Sequence, residues 1–236
     1  MKNLQDIIQE KLQIGGKTKV SGYKYHPKYK GELIELLKNL ILERGKDANL
    51  NDIDTSEITD MSYLFDGFED ELDPHNIDIS QWDVSNVIDM ECMFMYHENF
   101  NCDLSKWNVS NVKYMKSTFE GCHNFNSDLS NWDVSKVTNM RFMFDECNIF
   151  DSDLSNWNVS NVTNTGSMFS NCKKFDSDLS NWDVSNVTYM YGMFYGCEKF
   201  KSDLSKWDVS KVTNIRKMFV GSGIENNLPK WYINEE

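Results

Sequence analysis

The sequence has few of the features that mark an enzyme or a membrane protein. Only three prolines and four histidines occur in 236 residues, and no run of 18 apolar residues predicts a transmembrane helix. No G-x-G-x-x-G or Walker motif is present, and the histidines share no nucleophile or metal-ligand spacing. The histidines are His26, His75, His97 and His123. These absences predict a protein that is not an enzyme and that needs no cofactor.

The amino terminus also lacks the uninterrupted apolar stretch of a secretory signal peptide. The expectation is therefore a cytoplasmic protein, or a cell-surface or virion-associated one if a leader has been removed.

Positive charge is scarce outside the first 50 residues. Residues 1–50 hold 10 Lys and Arg against 6 Asp and Glu, a charge of +4. The remainder has 14 against 31, a charge of −17, which gives the net charge of −13. A body this acidic repels nucleic acid phosphates and anionic lipid surfaces. The expected partner is therefore not a nucleic acid, and simple solubility is an alternative explanation of the charge.

What the sequence does contain is one motif written many times. The stretch SDLSNWDVS begins at Ser127 and returns unchanged at Ser177. Tryptophan recurs every 25 residues, at Trp82, Trp107, Trp132, Trp157, Trp182 and Trp207, and Trp231 follows after 24. Ile53 extends the register once more, 29 residues before the first of them. A fixed period of this size is typical of repeat proteins whose units stack on one another.

The spacing of apolar residues inside one unit predicts a short strand, a turn and a short helix. Trp132 and Val134 alternate with Asp133, as in a strand with one buried face. Ser135 is suited to cap a helix. The residues after it recur at helical spacing: Val137, Met140, Met143, Phe144 and Cys147. One unit cannot bury this apolar set alone, so we expect the tryptophans of neighbouring units to form a column.

Four cysteines occupy one repeated position, namely Cys122, Cys147, Cys172 and Cys197. Ligand pairs at C-x2–4-C spacing are absent, which argues against zinc. The prediction is a column of free thiols that pack like small hydrophobic residues.

The pattern L-x-x-W-x-V-x-x-V-x-x-M-x-x-M-F-x-x-C-x-x-F resembles the leucine-rich repeat L-x-x-L-x-L. It is most similar to the repeat of about 25 residues in BspA-like leucine-rich repeat surface proteins, over Ile53 to Trp231. The resemblance implies an α/β repeat solenoid, a right-handed coil with a parallel sheet on one side and short helices on the other. It also implies an adhesin-like or ligand-binding role, although from this sequence we expect no leader, lipobox or wall anchor.

The two ends of the chain differ from the repeats. The stretch KGELIELLKNLILERG predicts a helix over 30–44 that ends before Gly45. Its apolar face would be Leu33, Leu36, Leu37, Leu40 and Ile41. The expected organisation is an amphipathic helix or tether over 1–16, an amino-terminal cap over 17–50, a solenoid of 25-residue repeats over 51–222 and a degenerate carboxy-terminal cap over 223–236.

Two surfaces are candidates for binding. The first consists of outward polar ladders: Asp83, Asn108, Asp133, Asn158, Asp183 and Asp208, with Gln81, Lys106, Asn131, Asn156, Asn181 and Lys206 beside them. Stacked carboxylates would attract calcium, but no loop has the dense ligand set of a D-x-D-x-D-G motif. A second acidic column is expected to bond backbone amides at turns instead: Asp103, Asp128, Asp153, Asp178 and Asp203.

The second surface is defined by positions that differ between otherwise copied units. The aromatic ones are Tyr96, Tyr114, Phe142, Tyr189, Tyr191 and Tyr195, and the basic ones are Lys116, Arg141, Arg216 and Lys217. Tyr and Arg are favoured at protein interfaces. Drift of unconstrained exposed positions is the alternative explanation.

These features favour a monomeric, non-enzymatic binding scaffold that engages a protein or glycan through one of the two surfaces. The alternative is a structural or assembly component of a phage-like or mobile-element particle, tethered by the amino-terminal helix.

Overall fold

The computed structural model describes residues 22–68 and 72–232. Within these ranges one α-helix occurs, α1 at Lys30–Arg44, and no residue belongs to a strand. The β-bridges between neighbouring units are isolated and parallel, and one row of them runs through Asp60, Asp89, Tyr114, Asn139, Asn164, Tyr189 and Asn214. The predicted α/β solenoid with a parallel sheet and opposing short helices is therefore wrong. The proposed tether over 1–16 lies outside the described residues.

Left-handed residues replace the predicted repeat helix with a series of turns. Phe142 and Glu146 have φ of 58° and 62°, a conformation that interrupts an α-helix and costs a non-glycine residue about 1–2 kcal/mol. The N–H of Phe142 donates to the carbonyl of Gly166 in the next unit, at 3.0 Å. In an α-helix it would donate to the carbonyl four residues earlier. The apolar set is still buried, because successive turns bring residues three or four apart to one side, as a helix does.

The predicted strand does not form, because its backbone groups make hydrogen bonds within the same unit. The N–H of Trp132 donates to the carbonyl of Leu129 at 3.0 Å, and that of Val137 donates to Val134 at 2.9 Å. These are turn bonds between residues three apart, so the groups are not free to extend a ladder between strands. The alternation was still informative: Trp132 and Val134 are buried and Asp133 is exposed.

Aromatic rings form the centre of the stack. The ring of Phe144 lies nearly parallel to Phe119 and Phe169 of the adjacent units, with centroid distances of 5.6 and 5.7 Å. The predicted tryptophan column is confirmed at both ends: Trp82–Trp107 rings lie 6.4 Å apart and Trp207–Trp231 rings 6.5 Å apart. The six tryptophans from Trp82 to Trp207 are 3–5 % exposed.

In the central units, three buried polar side chains join a unit to its neighbour. The indole Nε1 of Trp132 donates to the carbonyl of Leu104 at 3.1 Å, and the hydroxyl of Ser127 accepts from the N–H of Leu104 at 2.8 Å. The Sγ of Cys147 donates to the carbonyl of Phe119 at 3.0 Å, and the cysteine column consists of free, buried thiols, as predicted. Buried polar groups need such partners, which explains why Ser and Trp return in the copied stretch.

The helix α1 covers the first unit. Its buried residues are the predicted ones: Leu33, Leu36, Leu37, Leu40 and Ile41. At the exposed side of this contact, Lys30 Nζ lies 2.7 Å from Asp60 Oδ2 and donates to the carbonyl of Ser62 at 3.1 Å. The apolar end of the stack is therefore closed by a helix held through both apolar and charged contacts.

Candidate functional site

The predicted polar ladders form one surface of the stack, which we call the Asx face. In its first column, a side-chain oxygen accepts the backbone N–H of the serine two residues later, in all six units. For Asp133 and Ser135 this distance is 3.0 Å, and for Asn158 and Ser160 it is 3.2 Å. The same bond occurs at Asp83, Asn108, Asp183 and Asp208. Bonds from the side chain and backbone of Ser135 hold the pKa of the Asp133 carboxyl below its ordinary value. These residues are therefore explained as turn caps.

The second acidic column has the same role, which confirms its prediction. The carboxylate of Asp128 accepts the N–H of Ser130 at 2.9 Å, and that of Asp178 accepts the N–H of Ser180 at 3.0 Å. Asp103, Asp153 and Asp203 do likewise. Both aspartates of the copied stretch are thus required by the fold, so their recurrence is no evidence of a ligand.

The remaining residues of the Asx face surround only a polar depression. Lys106, Asn131, Asn156 and Asn181 are exposed. A cavity of about 420 Å³ lies between two units and is lined among others by Asp153, Asn156, Asp178 and Asn181. The indoles beneath are 4 % exposed, so this surface offers a ligand no aromatic ring. Binding sites are usually lined by apolar and aromatic groups with a few polar ones, which makes the Asx face the weaker candidate.

The exposed and half-buried residues 7 to 14 positions after each tryptophan form a second surface, which we call the turn face. They lie within 89–96, 114–121, 139–146, 164–171, 189–196 and 214–221, with 60–67 of the first unit, and the fully buried residues of these stretches belong to the core. Tyr114 is 44 % exposed, and Tyr63, Tyr96 and Tyr195 are 44 %, 62 % and 40 % exposed. Tyr189 and Tyr191 are half-buried, with ring centroids 6.4 Å apart. The structure therefore gathers the predicted variable tyrosines on one surface.

Two of these tyrosines pack closely against a glycine of an adjacent unit, which is the next unit for Tyr96 and the preceding unit for Tyr189. A Cβ on Gly121 would lie 2.6 Å from Cδ1 of Tyr96, and a Cβ on Gly166 would lie 2.7 Å from Cδ1 and Cε1 of Tyr189. The hydroxyl of Tyr96 also donates to Glu120 Oε1 at 2.8 Å. Rings that are held in place before binding lose little conformational entropy when a partner covers them.

The turn face also contains a partly buried carboxyl with one unpaired oxygen, which the sequence did not reveal. Asp145 is half-buried, and its Oδ1 has no hydrogen-bond partner. Burial raises the pKa of this carboxyl to about 7, opposed by a bond with Ser170 and assisted by the charges of Glu120 and Glu146. At the same repeat position other units have Glu120, Ser170 and Tyr195, so no pattern marked it.

Asp145→Asn is expected to stabilise the protein above neutral pH. An unfolded aspartate titrates near 3.8 and the folded one near 7, so the folded state binds more protons between these values. The free energy of unfolding therefore falls as pH rises from about 4 to about 7, and asparagine removes this loss. Because the carboxyl is partly hydrated, the gain at pH 8 should be on the order of 1 kcal/mol, or about 2–4 °C in Tm.

Thermal unfolding at pH 4, 6 and 8 checks this expectation. Asp133→Asn is the matched control, because asparagine already occupies that column in Asn108 and Asn158 and the pKa of Asp133 is lowered. An equal gain at pH 8 for both variants would contradict the role of burial at Asp145.

A histidine pair near the first units shares one aspartate. His97 is buried, its Nδ1 lies 2.7 Å from Asp73 Oδ1, and its Nε2 lies 3.1 Å from the carbonyl of Phe65. His75 Nε2 lies 3.3 Å from the other oxygen of Asp73. The carbonyl of Phe65 can only accept, so Nε2 of His97 donates to it, as the cysteine Sγ does in later units. His97 is thus a structural substitute for cysteine.

The described residues, 22–68 and 72–232, contain no group of three His, Cys, Asp or Glu that could hold a metal ion. In the same ranges no helix is long and apolar enough to cross a membrane.

Two overlapping segments of the chain match the same family. Residues 36–150 and 115–231 each match the model described as "Mycoplasma protein of unknown function, DUF285". The second match begins 79 residues after the first. This offset equals the 29-residue spacing of the first unit plus two 25-residue units, so the two matches are in register with the repeat. No curated protein and no solved structure is significantly similar to the chain.

The family match corrects the resemblance inferred from the repeat pattern. The matched family is not the BspA-like leucine-rich repeat family, and the absence of strands from the described residues agrees with this correction. The descriptions BspA-like, leucine-rich repeat and solenoid are therefore wrong. The matches together span residues 36–231, most of the chain, so the protein belongs to the DUF285 family of Mycoplasma proteins.

Proposed function

We propose that this chain is a non-enzymatic scaffold that binds a protein partner through the turn face. The observation that supports this most directly is the contrast between the two faces. The two repeated acidic and amide columns of the Asx face that include Asp128 and Asp133 are accounted for by bonds within the chain. The tyrosines of the turn face, in contrast, vary between units, and several of them are exposed. Tyrosine is among the residues that dominate protein interfaces.

A protein partner is favoured over a glycan by the extent of this surface. The exposed tyrosines lie in the units from Tyr63 to Tyr195, so they follow the stack over several units and do not converge on one pocket. Stacked repeat proteins present extended surfaces of this kind to protein partners. The acidic charge of the body would favour a neutral or basic partner overall.

The double variant Tyr96→Gly/Tyr114→Asn is expected to weaken binding about tenfold or more while leaving the fold intact. Both replacements are residues that the chain itself uses at these positions, as in Gly121 and Asn139. Glycine also suits the φ of 65° at Tyr96. The lost affinity follows from removing two large exposed rings. Peptides selected on the wild-type protein from a displayed random library, then titrated calorimetrically, provide the measurement.

Asn156→Ala/Asn181→Ala is the control for the Asx face, since both side chains are exposed and make no hydrogen bond with a described residue. Selected peptides should bind this variant as they bind the wild type. If the asparagine variant loses affinity and the tyrosine variant keeps it, the turn face is not the binding surface.

A further inference from the structure

We propose that Arg141 is a docking point for a carboxylate of the protein partner. This inference rests on the proposed function, since it assigns a ligand group to one place on the turn face. The inference is based on two observations about Arg141. The side chain packs against two aromatic rings, and it has no anionic partner among the described residues.

The guanidinium of Arg141 is positioned by packing. Its central carbon lies 4.5 Å from the ring centroid of Phe142 and 5.6 Å from that of Tyr189 in a later unit. Arginine stacks well on aromatic faces because its planar cation is weakly hydrated. Its Nε is buried and has no hydrogen-bond partner, so hydrogen bonding to Nε does not hold the side chain in place.

The unit between Arg141 and Tyr189 is shaped to permit this arrangement. It has Gly166 where other units have Glu91, Lys116 and Tyr191. A Cβ at this glycine would lie 2.7 Å from two carbons of the Tyr189 ring, so the missing side chain makes room for the ring. The φ of Gly166 is not positive, and space is therefore the reason for glycine here.

No acidic group of the described residues neutralises this arginine. No Asp or Glu oxygen in residues 22–68 or 72–232 lies within 4 Å of its nitrogens, whereas Lys116, one unit earlier at the same position, lies 3.4 Å from Glu91 Oε1. The turn-face stretches 164–171 and 189–196 beyond Arg141 contain no Asp or Glu at all. Arg141 is therefore a cation without an ion pair that borders an uncharged aromatic surface.

The free donors match a carboxylate. Neither Nη of Arg141 donates a hydrogen bond to a described residue, and the two nitrogens form a fork that fits both oxygens of a carboxylate. Beside them lies the ring pair of Tyr189 and Tyr191, with centroids 6.4 Å apart. The geometry therefore favours an anionic group that carries an apolar or aromatic neighbour, such as a glutamate or aspartate next to an aromatic residue.

Phenylacetate and its neutral isostere phenylacetamide are the probes for this site, titrated by NMR with observation of the arginine Nε–H signals. Phenylacetate should bind the wild-type protein about tenfold more tightly than phenylacetamide, because charge-assisted hydrogen bonds are stronger than neutral ones. The Arg141 signal should shift and saturate. Arg141→Gln should abolish the tenfold preference, and Gly166→Ala, which displaces the Tyr189 ring, should reduce it.

Arg216→Gln is the matched control, since Arg216 has the same repeat position and makes no ion pair or ring contact with a described residue. It should keep the full preference. Equal binding of the two probes to the wild type, or an unchanged preference in Arg141→Gln, would overturn the carboxylate site. Neither result would affect the proposed function, which depends on the Tyr96 and Tyr114 variant. Arg141→Lys distinguishes loss of the site from misfolding. Because lysine keeps the charge, this variant should retain part of the preference for phenylacetate.

Discussion

Replacing Trp157 by alanine is expected to lower the free energy of unfolding by about 4–6 kcal/mol. The indole is 4 % exposed, and its ring lies 6.3 Å from Phe144. Truncation of a buried tryptophan costs about 3–5 kcal/mol through lost transfer energy and the cavity left behind. The indole Nε1 also donates to the carbonyl of Leu129 at 3.0 Å, and the loss of this bond adds about 1 kcal/mol.

Trp157→Phe separates the two contributions. Phenylalanine keeps most of the apolar contact but cannot donate, and the carbonyl of Leu129 retains its bond from the N–H of Trp132. We therefore expect a loss of only about 1–2 kcal/mol. Urea unfolding monitored by circular dichroism and by fluorescence measures both variants. A loss below about 2 kcal/mol for Trp157→Ala would contradict a stack held by the tryptophan column.

Phe144→Ala is expected to cost about 3–5 kcal/mol, whereas Phe142→Ser, only two residues away, should cost less than about 1 kcal/mol. Phe144 is fully buried and its ring contacts Phe119, Phe150 and Phe169. Phe142 is half-buried, and serine occupies the same position in other units.

The difference between the two variants tests whether Phe142 lies on the surface while Phe144 lies in the core. The φ of 58° at Phe142 is shared by the serines at the same position in other units, so this residue should tolerate serine without loss of backbone order. Urea unfolding under identical conditions gives both values. Similar losses for the two phenylalanines would show that the ring of Phe142 belongs to the core, and would contradict the assignment of Phe142 to the turn face.

The bonds between units explain why the copied stretch is so strictly kept within this chain. Ser127, Asp128, Trp132 and Asp133 each satisfy a backbone group, either in their own turn or in the neighbouring unit. A substitution at Ser127, Asp128 or Asp133 leaves a backbone N–H without its side-chain partner, which costs about 1–3 kcal/mol. When Trp132 is replaced, the carbonyl of Leu104 keeps its bond from the N–H of Trp107. The turn-face positions carry no such backbone role in every unit, so they are free to differ and to acquire binding residues.

The candidate site could be anticipated only in part from the sequence. The variability of Tyr114, Tyr189 and Tyr191 among copied units indicated a surface free of packing constraints, and the structure places these residues on one face. The packing of Arg141 between two rings was not predictable, because the rings come from positions 142 and 189, two units apart along the chain. Asp145 was missed for a similar reason, since its burial and its charged neighbours arise from the stacking of units.

The sequence by itself determined that the units repeat every 25 residues, which side chains face inward, that α1 covers one end and that the cysteines stay free. The inward-facing side chains and the covering helix follow from the spacing of apolar residues, because apolar residues recur where the chain is buried. The free cysteines follow from the absence of closely spaced pairs. Only the tertiary structure decided the backbone conformation. A spacing of three or four residues is produced equally by a helix and by successive turns with left-handed residues, and the choice depends on hydrogen bonds to the next unit, which no single unit contains.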